Sequence, residues 1–274
     1  MAELTRRDVI LVLGSVPFAE DVRAGARLAG VDLSGLDLRR LNFSFADLRG
    51  ANLQGVQAAG ARFDFALLDE ADCSEADFTG CSMRAVQARA GRFCHARLSS
   101  AVLAEAVLEA SDLIGADLRG ADLQAARLAR ADLRAADLTR ANLSRARLMS
   151  AALTDADLSA AVASGVELND ANLDEAVCQG IDLGQSHLLR ASLVNARLQY
   201  ANLRECNFSE SLMTGADLSD SDCSRAIFRG AQLSRVCFER ANLSYAVLRG
   251  AIMDGESLLR AVLNQTVLPG GEDR

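Results

Sequence analysis

The chain has 274 residues, half of them hydrophobic, with only 4% aromatic residues and a formal net charge of −8. All 29 basic residues are Arg, and an acidic balance of this size argues against the basic face by which proteins usually hold nucleic acid. The seven Cys form neither a CxxC pair nor a zinc-ligand pattern, and no apolar run reaches membrane-spanning length.

The first candidate element is Thr5-Arg6-Arg7-Asp8-Val9-Ile10-Leu11-Val12-Leu13-Gly14. Thr5 and Asp8 are spaced as a capping box and Gly14 as a stop, which predicts a short helix. Its β-branched residues leave a strand as the alternative. Val9–Leu13 is too short, and too close to Asp8, for a signal peptide, so the chain is expected in the cytoplasm.

From Leu28 to Leu268 every fifth residue is apolar in one frame: 33 Leu, 7 Phe, 3 Met, 3 Cys and 3 Ala over 49 positions. Two residues before each is a second restricted position, where 40 of 49 residues are small and 32 are Ala. A period of five suits neither regular element. A helix would spread the Leu residues around its whole surface, and a continuous strand would send successive ones to opposite faces. The chain must bend once per repeat, with both restricted positions inside and the other three residues outside. Such units bury their apolar side only by stacking on one another, as in a solenoid.

Volume exchanges support a common interior. Val56 with Ala58 and Val86 with Ala88 place the larger residue at the small position, and Gly91 with Phe93 reverses the exchange. Ala161 and Ala163 lack this compensation, which predicts a locally loose coil. Cys73, Cys178 and Cys223 take the large interior position and Cys81 and Cys206 the small one, as compact core residues of a reducing compartment.

The unit, seen in Ala51-Asn52-Leu53, Ala131-Asp132-Leu133, Ala141-Asn142-Leu143 and Ala241-Asn242-Leu243, resembles that of the pentapeptide-repeat proteins, Ala-(Asp/Asn)-Leu-x-x. The resemblance implies an all-β solenoid: a right-handed quadrilateral parallel β-helix with four units per coil and about 12 coils. At roughly 4.8 Å per coil it would be a rod on the order of 55–60 Å long. The expected layout is an N-terminal cap over 1–25, the β-helix over 26–255, and a C-terminal cap over 256–274.

Near the C-terminus, Glu256 is the only charged residue at a small interior position, so regular coiling is expected to falter near Met253. Asp254 is placed to cap a helix through Leu263 that presents Leu258, Leu259 and Val262; a frayed last coil is the alternative. In the quinolone-resistance branch of the family the C-terminal end forms a homodimer, so Leu258, Leu259, Val262 and Leu263 are the candidate dimer residues.

The chain carries no nucleophile elbow, phosphate loop or metal-ligand cluster, and its two His, His95 and His187, fall on different sides. It is expected to be no enzyme and to need no cofactor. Fourteen Asp and seven Asn precede the central residue, a position suited to bonding turn backbone. With twenty residues per coil, the side centred on residue 33 carries Asp32, Asp72, Glu75, Asp112, Asp132, Asp155, Asp174, Glu175 and Asp254 against Arg92, Arg134 and Arg235, a net −6. The other three sides lie between −1 and +2. On one of these, Ile227, Val247 and Val267 fall in one outward column.

Members of the quinolone-resistance branch bind DNA gyrase or topoisomerase IV as duplex mimics. The resemblance therefore implies a protein partner of that kind, with the first eight acids of that side as the contact and no direct binding of nucleic acid or membrane. The alternative is an interaction scaffold or effector with no topoisomerase partner.

Overall fold

The computed structural model describes residues 5–14, 25–254 and 256–271. The cap element is helical: α1 spans Arg6–Gly14. Thr5 N–H and Oγ1–H both donate to the Asp8 carboxylate, at 2.8 and 2.6 Å, satisfying donors that a helix start leaves open. Val9 is buried in the core, and Val12 and Leu13 pack against it. Arg6 ties α1 to the first coil through the Asp37 carboxylate at 2.9 Å and the Arg39 carbonyl at 3.2 Å. The first-coil small positions are enlarged to Val31, Leu36 and Leu41, which remain half-buried against the core.

From Arg27 to Val267 the chain pairs with itself in parallel, twenty residues on, in four columns of bridges five residues apart. Among the described residues only β1 (Gln232–Leu233) and β2 (Ile252–Met253), paired with each other, are long enough to be strands. Every small position from Ala46 to Ala251 and every central position from Leu28 to Leu248 is buried.

The bend comes from backbone. In the unit around Leu48, the N–H of Asp47 donates to Ala26 C=O (2.8 Å), that of Leu48 to Leu67 C=O (2.8 Å) and that of Gly50 to Asp69 C=O (2.9 Å). Ala51 N–H closes a turn onto Leu48 C=O at 3.0 Å. The corner residue before the next unit is left-handed almost throughout: among the described residues, 33 non-glycine residues and 13 glycines at these corners have positive φ. Placing so many L-residues there costs about 1 kcal/mol or more each, offset by the ladder and core that each corner makes possible.

One N–H per unit remains. At all 21 units with Asp or Asn before the central residue, that side chain accepts the N–H two residues on, from Ser34 (3.0 Å to Asp32) to Ser244 (3.1 Å to Asn242). Where the position holds Ser82, Gln87, His187 or Ser192, an adjacent coil supplies the acceptor. Asp64 takes Arg84 N–H, Asp69 takes Arg89 N–H, Asn169 takes Leu189 N–H, and Asp174 takes Val194 N–H.

Inside, Phe43 stacks on Phe63 at 4.9 Å between ring centroids, and Phe208 on Phe228 at 5.1 Å. The Gly91–Phe93 exchange is steric: a Cβ at Gly91 would stand 2.9 Å from the Phe93 ring. At Ala161 and Ala163 the expected loosening is absent from the backbone. Ala163 N–H reaches Asp182 C=O at 2.7 Å, and buried Ser186 donates its hydroxyl to Ala163 C=O at 3.0 Å.

The C-terminal helix expected from Asp254 to Leu263 does not form. Ser257, Leu259 and Ala261 N–H groups close consecutive tight turns onto residues 254, 256 and 258. The coil then resumes, with Val262 and Val267 bridged to Asn242 and Val247. Ladder bonds from Leu243 to Val262 C=O and from Leu248 to Val267 C=O, both 2.8 Å, outweigh an isolated helix of two turns.

Three outcomes follow for stability. Gly60 has φ +68 with open space around its Cβ direction, so Gly60→Ala should cost about 1 kcal/mol, and Ala135→Gly, at φ 54, should cost nothing or stabilise, by denaturant titration. Hydrogen bonds from Ser34, Arg39, Arg49, Arg119 and Arg134 hold Asp32, Asp37, Asp47, Asp117 and Asp132 below the usual carboxylate range. Stability they contribute is present above an unfolded pKa of about 3.9 and is lost as pH falls through the lower folded values. The thermal midpoint should hold down to about pH 5 and fall progressively below about pH 4; a flat profile to pH 2 contradicts this. Burial pushes the Cys81, Cys178, Cys206 and Cys223 thiols up to about 12. A thiol reagent should thus titrate Cys237, which is exposed, well before the buried five, and all seven only after unfolding.

Candidate interaction surface

The bridge register places the acidic residues on one side of the coil. Asp32, Asn52, Asp72, Arg92, Asp112 and Asp132 pair in succession, and the same column continues through Ala152 and Asn172. Glu75, Asp155 and Glu175 stand at left-handed corners of that side, and Asp174 lies next to Glu175.

Two kinds of acid share this surface. Asp32, Asp72, Asp112 and Asp132 each accept a turn N–H, and Asp174 accepts Val194 N–H at 2.8 Å and the Ser192 hydroxyl at 2.5 Å. These five belong to the backbone ladder as well as to the surface. The corner acids do not: Glu175 accepts only from the Asn195 side chain at 3.0 Å, and Glu75 and Asp155 have no side-chain partner among the described residues.

Arginine neutralises the column in two places. Arg134 is bonded to Asp132 at 2.6 Å, and Arg92 lies 3.5 Å from Asp72. Asp72 is partly desolvated, which opposes ionisation, yet its bonds to Ser74 and the charge of Arg92 bring it below the usual range. Asp72 therefore stays ionised at neutral pH despite its partial burial. The neighbouring side has its own acid run, Asp117–Asp137–Asp157, but there Arg119 spans the first two at 2.7 and 3.5 Å.

Exposed apolar residues gather towards the C-terminal end. Ile227 is exposed and forms one bridged column with the half-buried Val247 and Val267, and Leu212 and Ile252 are exposed on the acidic side beyond Glu175. Of the four candidate dimer residues, Leu258 is half-buried in the turns, Leu259 is 78% exposed, and Val262 and Leu263 are exposed on the last coil. They sit on turns and coil, not along a helix face. The enlarged first-coil positions Val31, Leu36 and Leu41 mark the covered N-terminal end; that departure from the small-residue pattern was legible but went unread.

No group of three or more His, Cys, Asp and Glu among the described residues is placed to hold a metal ion. His95 stands at a corner of the acidic side and His187 in the column of Ile227, so the two do not meet. No helix of the described residues is long and apolar enough to cross a membrane.

Among curated proteins none matches the chain. Of solved structures, HetL, a pentapeptide repeat protein involved in heterocyst differentiation regulation in Nostoc sp. strain PCC 7120, is 26% identical, covering 99% of this chain and 100% of its own at a TM-score of 0.36. QnrB1, a plasmid-mediated fluoroquinolone resistance protein, is 17% identical over 71% of this chain and 92% of its own, at 0.44. A pentapeptide repeat protein of the Arabidopsis thaliana thylakoid lumen is 24% identical over 60% and 72%, at 0.13. These superpositions add nothing finer than the family. The pentapeptide-repeat model itself matches in eight copies, over residues 24–84 and 92–244. With its ladder twenty residues in period and its Ala and Leu turned inward, the chain belongs to the pentapeptide-repeat family and is a right-handed β-helix.

Proposed function

We propose that this chain is a non-enzymatic protein that occupies the DNA-binding surface of a type II topoisomerase, DNA gyrase or topoisomerase IV, as a duplex mimic. Its binding would modulate the enzyme's response to gyrase-targeting antibiotics. The observation that carries this reading is the stacked acidic side, with carboxylates repeated along the coil axis and, among the described residues, two close Arg partners. Complementary potential would steer it into a basic saddle. Charge density is dilute: duplex DNA presents about one charge per 1.7 Å, or roughly 34 along such a rod. The side offers nine carboxylates, so the shape of the coil must supply much of the fit.

The apolar C-terminal end suits self-association, and a homodimer would double the acidic surface. Five core thiols that remain free accord with a cytoplasmic, reducing setting. A scaffold with no topoisomerase partner is the second reading. The observation favouring it is that all fourteen Asp before central residues serve the turns, so acids there need no partner to explain them.

A supercoiling assay with purified gyrase, with and without a fluoroquinolone, separates the two: inhibition or rescue is expected, and no effect or association at micromolar concentration removes the first reading. The carboxylates of Glu75, Asp155 and Glu175 accept no backbone N–H among the described residues, and Arg occupies equivalent corners at Arg130 and Arg140. The triple reversal to Arg should therefore weaken association at least tenfold and leave the thermal midpoint within a few degrees. Undiminished potency would mean that another side makes the contact.

A further inference from the structure

The ladder column that begins at Asp37 stops early. It runs through Asp217 to Cys237 and has no rung at Ser257, although the flanking columns go on to Ile252, Val262 and Val267. Cys237 is paired towards the coil before it, through its N–H to Ala216 C=O (3.0 Å) and its C=O to Leu218 N–H (2.8 Å). On the open side, Phe238 N–H and Val236 C=O have no partner among the described residues. Residues 256–260 arch over this edge instead, enclosing a cleft of about 430 Å³ with Arg235, Cys237 and Glu239.

The arch has the right number of residues to fill the gap. Met253, Leu258 and Leu263 keep the five-residue frame, so a regular path would set Ser257 opposite Cys237 and turn Leu258 fully inward. It would also turn Glu256 inward, at a position that is buried in every unit from Ala46 to Ala251. An unpaired carboxylate there is opposed by desolvation, and Glu256 is exposed. Outside, Arg260 pairs with Glu239 at 3.1 Å, and Arg240 N–H takes the carbonyl of Arg260 at 3.0 Å where the regular register would give it Leu259. Arg260 also lacks the left-handed φ of the other corners.

We infer that residues 256–260 are a strap with two positions, lifted as observed and seated as a regular side of the coil, and that the Glu256 carboxylate holds it in the lifted one. Lifted, the strap leaves a one-strand notch in the last coil and exposes Leu259; seated, it completes the column and closes the notch.

Amide hydrogen exchange on the full chain tests this. In Glu256→Ala the Phe238 and Ser257 amides should exchange at least tenfold more slowly than in the unsubstituted protein, because Phe238 gains a ladder partner and Ser257 trades its 3.2 Å tight-turn bond to Asp254 for one. Unchanged rates at both amides would overturn the proposal. If Glu256→Ala unravels the end, seen as lost protection at Leu243 and Leu248, Glu256→Ser decides by the same readout, since Ser111, Ser186, Ser211 and Ser221 fill equivalent buried positions. In the Glu256→Ala background, Ser257→Cys should form a disulfide with Cys237 on mild oxidation faster than Ser257→Cys alone; equal rates would again count against a seated position.

Discussion

Everything in this protein follows from a corner every five residues that still keeps most of each unit's backbone donors paired. A chain bent so often breaks up any long strand, and each bend is a place where N–H groups lose regular partners. Here four of the five N–H groups of a unit go into the ladder or the turn, as around Leu48, and the fifth goes to Asp or Asn two residues earlier. Where that residue is missing, an acid or Asn in an adjacent coil can fill in, as Asp64 does for Arg84 and Asp174 for Val194. The core can then be almost pure Leu and Ala, because its polar obligations are met at the surface.

The same economy shapes the surface. An Asp recruited to satisfy a turn is also a charge on display, and repetition places such charges in register along one side. Asp32, Asp72, Asp112 and Asp132 therefore serve fold and surface at once, whereas Glu75, Asp155 and Glu175 stand at corners where nothing in the backbone asks for them. Acids with no structural duty are the more informative ones about a partner. The two ends differ as well. The N-terminal end is covered by α1 and by enlarged first-coil residues, and the C-terminal end leaves Leu263 and Leu268 exposed.

Much of this was legible in residue order. The unbroken frame gave the inward positions, the capping box at Thr5 and Asp8 gave α1, and Glu256 gave the place where coiling is disturbed. The left-handed corners were not read, although 13 of the 46 residues found there are Gly. The other 33 hid the signal, because ladder and core impose a conformation their own preferences oppose. The C-terminal helix was misread for a related reason: the local pattern from Asp254 to Leu263 suits a helix, and only the waiting edge at Asn242 and Val247 makes a return to the coil better.

By itself, the order of residues determined the period and the inward face, because a five-residue repeat buries every Leu only if the chain bends once per unit. The twenty-residue ladder of the folded chain fixes the sides on which charges stack. Tertiary structure decided which acids outside the position before the central residue are bound to backbone, as Asp64, Asp69 and Asp174 are across a coil, and how the last coil closes. Those outcomes depend on groups twenty residues apart meeting across neighbouring coils, a distance over which adjacent residues in the chain carry no preference.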